Sequence, residues 1–438
     1  MSAQSLKALI NDEVIGDLYE VNGMWTFAYA QSWLNRPNSH ALSPHLPLQS
    51  GPIQDTGTVR HVQWYFDNLL PEEGQRTLLA GDAKIDTADA FGLLAYYGSE
   101  SAGSITLMTN DLLAQNVSRE VGLQPLLNQD LSMRIHNMPT IPLTHLAKKR
   151  MSLAGAQHKL AVVLKDNELF EPSGATPSTH ILKPNHLDHD YPHSVINEFF
   201  VMRLARKLSM NVPHVYRRYV PDAIYLIDRF DRVRETGEWH RLHAIDACQL
   251  LGFDKSFKYA QGNMANLAAL ANACRSPAVA RVRLLTWLIF NVLIGNTDAH
   301  LKNLSFMVTN QGIQLAPHYD MLSTACYETQ TYNKTDWPNR STLAWPILDT
   351  NKYSDINRAI LLDAGKALML NKSTALRLIE NLSSRIAQTA QDLYDEIVIE
   401  NTRFVAYRPE LGTIFEGELQ CLRTIQFSII RDMLDKVK

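Results

Sequence analysis

Residues 295–303 read GNTDAHLKN, an aspartate, a histidine, a lysine and two asparagines set directly behind the apolar run VARVRLLTWLIFNVLIG. The run carries Arg281 and Arg283 near its start and falls short of the roughly 18 uncharged residues that a membrane span needs. It reads as a buried core helix, with Ser276 as N-cap, Pro277 at the first helical position and apolar positions from Leu284 to Ile294 around most of its circumference. Asp298 and Asn303 repeat the D-x-x-x-x-N spacing of a loop that orients an acceptor hydroxyl and holds a metal ion in phosphoryl transfer. The continuation SFMV, the turn-like TNQG and then IQLAPHYD read as a β-hairpin delivering Asp320. Phosphoryl-transfer sites place a second metal-binding aspartate at the end of a similar hairpin.

Upstream, the other parts of such a site follow in order. SLAGAQHKLAVVL has Gly155 between small residues, which permits a close backbone approach to phosphates, and leads into a strand. Lys183 in THILKP stands on the next predicted strand, the place of a phosphate-binding lysine. The segment SVINEFFVMRLARKL follows, with Ile196, Phe200, Leu204 and Leu208 recurring every four residues as one helical face and Ser194 as its cap. Glu198, in its first turns, is a candidate ion-pair partner for Lys183, although an acid there is also favoured by the helix dipole alone. AIYLIDRF then reads as a strand at the hinge position.

Residues 1 to about 110 show short β-type runs, TFAYA and SITLM, broken by Gly and Pro; beyond about 240 the pattern is helical and closes with SDINRAILLDAGKALML, STALRLIENLSSRIAQTAQDLYDEI and GELQCLRTIQFSIIRDML. A β-rich lobe ahead of a helical lobe is the layout of a kinase. The expected fold is α+β, a protein-kinase-like bilobal fold with an additional small N-terminal α/β module and an all-helical C-lobe. The expected domains are 1–110 for the module, 111–235 for the β-rich lobe and 236–438 for the helical lobe.

A chain of 438 residues exceeds one ordinary core, and 45% hydrophobic with 20% charged residues places it among globular proteins. Its net charge of -3 gives no bulk attraction for nucleic acid or anionic lipid. Cys248, Cys274, Cys326 and Cys421 lie far apart with no C-x-x-C, which speaks against a disulfide framework or zinc knuckle and fits a reducing compartment. The start, MSAQSLKALINDEV, has acids where a secretory segment is apolar. A cytoplasmic protein with no membrane contact is expected.

The chain resembles the HipA family of bacterial serine/threonine kinases, the toxin halves of toxin–antitoxin modules. The resemblance is nearly full length. It is carried by TFAYAQSWL, LSPHLPLQSG and FDNLLPEEGQR in the module, by SLAGAQHK and GATPSTHILKP in the β-rich lobe, and by GNTDAHLKNLS and APHYDMLS in the helical lobe. It implies that Asp298 is the catalytic base, that Asn303 and Asp320 hold Mg²⁺ and that Lys183 binds the ATP phosphates. It also implies that Ala154, Gly155, Ala156, Gln157, His158 and Lys159 form the phosphate loop and that Asp228, Arg229 and Phe230 form the adenine hinge. His300, Leu301, Lys302, Asn303, Tyr319 and Asp320 then line the ATP site, and Ser152 is phosphorylated by the kinase itself as an off switch. The implied partners are a helix-turn-helix antitoxin of HipB type, operator DNA mainly through that antitoxin, and a protein substrate. For the best-known members this is the glutamate aminoacyl-tRNA synthetase, whose modification stalls translation and promotes growth arrest and persistence.

The departures from ordinary protein kinases are specific. Asn296-Thr297 replace the His-Arg before the catalytic aspartate, and His300 stands where a lysine is usual, with Lys302 taking over the charge. Met321-Leu322 follow Asp320 in place of a Phe-Gly pair, and no A-P-E element follows. Three other functions use some of these residues. A small-molecule phosphotransferase of aminoglycoside or choline type shares the D-x-x-x-x-N logic but lacks its usual H-x-D start. A metal-dependent hydrolase would use Asp298, His300, His318 and Asp320, and a non-catalytic nucleotide-binding co-repressor would need none of the chemistry.

Overall fold

The computed structural model describes residues 4–114, 121–145, 147 and 149–438. The chain divides into two compact units, each assembled from separated segments: Met1–Pro184, Arg218–Phe257 and Ser305–Ala316 in one, and Asn185–Arg217, Lys258–Leu304 and Pro317–Lys438 in the other.

The first unit is built on sheets. An antiparallel sheet runs in the order Ile53–Gln54, Met24–Tyr29, Glu13–Val21, Gln4–Ile10, Ile105–Met108. TFAYA and SITLM fall on two of its strands; the pair Gln4–Ile10 and Glu13–Val21 has no counterpart in the sequence reading. A second antiparallel sheet contains Ala223–Asp228, His180–Pro184, Leu160–Lys165, Glu168–Gly174 and Val121–Pro125 side by side. Alternation sorts its residues to two faces. Leu160, Leu182 and Leu226 stand in one cross-strand row, each fully buried in a core cluster with Leu131, Met151 and Leu153. Burying each such leucine contributes about 2 kcal/mol. Lys183 and Tyr225, one position along, pair on the opposite face.

Glu100 binds the first sheet's end of this unit to the second. Its carboxylate is wholly enclosed and accepts from Arg232 at 2.8 Å, Arg241 at 2.9 Å, Lys149 at 2.9 Å and Arg229 at 3.3 Å. Burial alone would push this carboxyl up, but the four cations overturn that effect and hold it well below the ordinary glutamate range. Asp231 shares Arg229 and Arg232 with it.

The second unit is mostly helical. Its helices are Ser194–Lys207, Met264–Ala273, Pro277–Leu293, Arg358–Ala367, the 36-residue Lys372–Tyr407, Gly412–Thr424 and Arg431–Val437. The stretch 236–438 is not all helical: Ala244–Asp246, Ser305–Thr309 and Gly312–Leu315 form a sheet that belongs to the first unit, and the second unit carries the two-stranded hairpin Thr342–Ile347 with Thr350–Lys352. Its turn at Leu348 adopts φ 56°, a conformation the apolar pattern around it does not signal. The GNTD helix forms as expected: Leu284, Leu285, Trp287, Leu288, Ile289, Phe290, Val292 and Leu293 are all buried. Ser276 is its N-cap and Pro277 its first residue, but the Ser276 side chain makes no cap bond. Ser194 does not hold the N-cap position of its helix. His193, at φ 59°, holds that position, and the Ser194 hydroxyl instead accepts from the His186 N–H at 2.7 Å. Among the described residues no helix is long and apolar enough to cross a membrane.

Candidate functional site

The polar cluster behind the core helix first completes the helix end. Gly295 adopts φ 64°; its N–H donates to Val292 O at 3.2 Å, and the Asn296 N–H donates to Asn291 O at 2.9 Å. These two bonds satisfy carbonyls that the last turn leaves open, and the left-handed residue between them favours glycine. A Cβ at Gly295 would also meet Ile429 at 2.7 Å and Ala325 at 2.9 Å.

The next residues fix Asp298. Asn296 is buried; its side-chain nitrogen donates to Asn291 Oδ1 at 2.8 Å, and its Oδ1 accepts the Asp298 N–H at 3.0 Å. This is an asparagine turn anchored to the helix. Thr297 is held through its N–H on Thr324 Oγ1 at 2.6 Å. The Asp298 carbonyl accepts from the His300 N–H and from Asn303 Nδ2, both at 2.8 Å. Asp298 and Asn303 are thereby locked together around a single 3₁₀ turn, Leu301–Asn303. The Asp298 carboxylate itself accepts the Tyr259 hydroxyl at Oδ1.

The segment leading to Asp320 reaches the same loop. The expected hairpin forms as Ser305–Thr309 and Gly312–Leu315, within the first unit. The chain then returns to the second, where the Tyr319 hydroxyl donates to Lys302 O at 2.9 Å. Residue 319 is thus tied to the residue before Asn303. Asp320 takes φ 56°, a left-handed conformation that costs on the order of 1 kcal/mol or more for a residue with a Cβ. Lys302 and Asn303 are buried, and Asp298, His300 and Asp320 are partly so. His318 is enclosed, its ring stacked on Trp287, and burial, then Arg283, pushes its pKa down to about 3. It is a neutral core residue. Among the described residues no three His, Cys, Asp or Glu side chains converge on a metal position, so the hydrolase quartet of Asp298, His300, His318 and Asp320 is not assembled.

The remaining site residues lie in the first unit, except Glu198, which is buried on the helix of the second. Lys183 is 5% exposed, with its ammonium 5.7 Å from the centroid of the Tyr225 ring. In the loop Ala154–Lys159, Gly155 adopts φ 112°, and Lys159 Nζ donates across the loop to Ala154 O at 2.7 Å. A Cβ on Gly155 would stand 2.5 Å from that ammonium. Gly155 also bridges Pro71, with the Glu72 N–H donating to Gly155 O at 3.2 Å. Ser152 is fully buried; its hydroxyl donates to Leu69 O at 2.6 Å and its N–H to Glu100 O at 2.7 Å. At the hinge, the Arg229 N–H donates to Thr179 O at 2.9 Å, and its guanidinium is committed to Asp231, Glu100, Ser178 and Ser101 O. Its side chain therefore belongs to the Glu100 cluster. Tyr259, Asn291 and the Leu69–Glu72 segment are the contributors the sequence reading missed.

The chain matches the HipA N-terminal domain family over residues 6–108 and the HipA-like C-terminal domain family over residues 151–390. The serine/threonine-protein kinase toxin HipA of Shewanella oneidensis is 33% identical over 347 residues, which cover 74% of this chain and 76% of that protein. A Sinorhizobium fredii protein named as a kinase is 35% identical over 339 residues, 75% of this chain and 79% of its own length. Among solved structures, the toxin–antitoxin complex of Shewanella oneidensis HipA, HipB and operator DNA matches with a TM-score of 0.74 at 29% identity, covering 98% of this chain and 99% of that one.

Proposed function

Since the chain belongs to the HipA family of serine/threonine-protein kinases, we propose that it uses Mg-ATP to phosphorylate a serine of an aminoacyl-tRNA synthetase, the glutamate enzyme first, and so arrests translation. The observation that supports this most is the clamp around Asp298 and Asn303, with Tyr319 tying the Asp320 segment to Lys302. The Asp298 carboxylate takes the proton of the acceptor hydroxyl as its oxygen bonds to the γ-phosphorus and the bond to the β-phosphate oxygen breaks, releasing ADP. Asn303 and Asp320 fit Mg²⁺ by their chemistry: the Asn303 amide nitrogen is committed to Asp298 O, which leaves its oxygen as a hard donor, and Asp320 offers a carboxylate. An Mg²⁺ ion held there would draw on one or two such protein oxygens and would offset phosphate charge. Lys183 and the loop Ala154–Lys159 bind the phosphates, Lys302 and His300 border them, and the backbone of Asp228–Phe230 meets adenine. Ser152 is the self-modified off switch. We assign 1–110 and a HipB-type antitoxin, with its operator DNA, to repression and neutralisation, and 111–235 and 236–438 to the two lobes of the kinase.

Phosphoproteomics after induced expression tests this, comparing wild type with Asp298→Ala. A new phosphoserine on one synthetase in wild type alone is expected. Identical phosphoproteomes in the two strains would remove the kinase reading.

A further inference from the structure

Asp298 lacks the lysine that ordinary kinases place two residues later, because His300 stands there, yet its carboxylate is not loose. Tyr259, 39 residues earlier in the chain, donates its hydroxyl to Asp298 Oδ1. The contact rests on an ordered mount. The Lys258 carbonyl accepts the Leu301 N–H at 3.1 Å, so backbone and side chain stitch Lys258–Tyr259 to the catalytic loop at two points. The Tyr259 carbonyl accepts the Gly262 N–H at 2.8 Å, and its ring meets His300 edge to face at 5.0 Å. Tyr259 is nevertheless 43% exposed, so its place is not owed to core packing.

We infer that Tyr259 is a positioning residue for phosphoryl transfer, fixing the Asp298 carboxylate so that Oδ2 faces the acceptor hydroxyl. This rests on the kinase reading above. A carboxylate only accepts hydrogen bonds and has two oxygens. With Oδ1 engaged by tyrosine and no other carboxylate partner among the described residues, Oδ2 is the atom left for the substrate. Without the phenol the carboxylate turns about two side-chain torsions, and the fraction in attack geometry falls.

The test measures label transfer from radioactive Mg-ATP, with a bacterial lysate as acceptor, for wild type, Tyr259→Phe, Asp298→Asn and the double variant. Tyr259→Phe keeps the ring against His300, so melting temperature and nucleotide affinity are expected to be unchanged. Its maximal rate falls about tenfold at unaltered KM for Mg-ATP. In the Asp298→Asn background, removing the hydroxyl brings no further loss. A Tyr259→Phe rate equal to wild type, or an equal proportional loss on top of Asp298→Asn, overturns the inference while leaving the kinase standing. Absence of any transfer by wild type that still binds Mg-ATP overturns the kinase reading and this inference with it.

Discussion

Asp298 is held by bonds that involve no substrate: its N–H on Asn296, its carbonyl under His300 and Asn303, and its carboxylate under Tyr259. This separates its role from that of Asp320. On the proposed mechanism Asp298→Ala removes the base but leaves the oxygens of Asn303 and Asp320, so transfer is expected to fall by about two to four orders of magnitude with Mg-ATP affinity largely intact. On the same mechanism Asp320→Ala removes a metal oxygen, so both transfer and Mg-ATP binding are expected to be lost. Isothermal titration of the two variants decides it, and Asp320→Ala binding Mg-ATP as well as wild type would sink the metal assignment. The link between Asp298 and Asn303 was legible because it lies in a short local spacing. Asn296 was visible only as a departure from a motif, although an asparagine two residues before an aspartate is a readable turn signal. Tyr259 was not legible, because a contact across 39 residues leaves no local pattern.

Among elements, the buried helix, the TNQG hairpin and the strands of LAVVL, HILKP and AIYLID were readable from periodicity. Glu168–Gly174, ELFEPSG, was not, since charge and proline mask its alternation. Of the two serine caps read from sequence, Ser276 holds its position without a side-chain cap bond, and His193 takes the position read for Ser194. The serine before the loop Ala154–Lys159 shows what sequence could not supply. Ser152 donates across 83 residues to Leu69 O, a contact with no local pattern. A phosphate of roughly -1.5 to -2 charges cannot replace that buried hydroxyl where it sits. Modification requires the loop to leave first and then bars its return, so self-phosphorylation is expected to be slow and to abolish ATP binding. Mass spectrometry after incubation with Mg-ATP, together with nucleotide titration, tests this. Phosphate on Ser152 in Asp298→Ala, or full ATP affinity in the phosphorylated chain, would contradict it. Ser152→Ala, which leaves Leu69 O without its donor, is expected to cost about 1 kcal/mol of stability.

For the whole molecule, the sheet-built unit is a single body partly because Glu100, Asp231, Lys149, Arg229, Arg232 and Arg241 share one enclosed cluster. Four cations face two carboxylates there, and Lys149, in spite of Glu100, is pushed by burial down to about 8. Removing a buried partner leaves the others uncompensated, so Glu100→Gln is expected to destabilise this unit by about 3–5 kcal/mol. A melting transition within a degree of wild type would show the cluster to be dispensable.

Acid should act on both units at once. His243 in the first unit is enclosed, with Nε2 donating to Leu42 O at 2.9 Å and Ser104 donating to Nδ1 at 3.1 Å. Burial, then His40, pushes its pKa down to about 3. His318 in the second unit is pushed equally low. In the unfolded chain each titrates near 6.5. Between those values the unfolded state binds more protons than the folded one, so stability falls as pH falls through 6.5 towards about 3. At pH 5 the loss is about 2 kcal/mol for each histidine. His40, His45 and His193, also lowered by burial, add in the same direction. Asp55 and Glu328, raised by burial, take up protons in the folded state first and so oppose it. Glu100, held far below the ordinary range, stays charged throughout. Thermal melting should therefore shift downwards from pH 7 to pH 5 in each unit's transition. His318→Phe, which keeps an aromatic face towards Trp287 and cannot bind a proton, is expected to lose about 2 kcal/mol less over that interval in the helical unit alone. A pH slope identical to wild type in that variant would show that His318 is not the group being titrated.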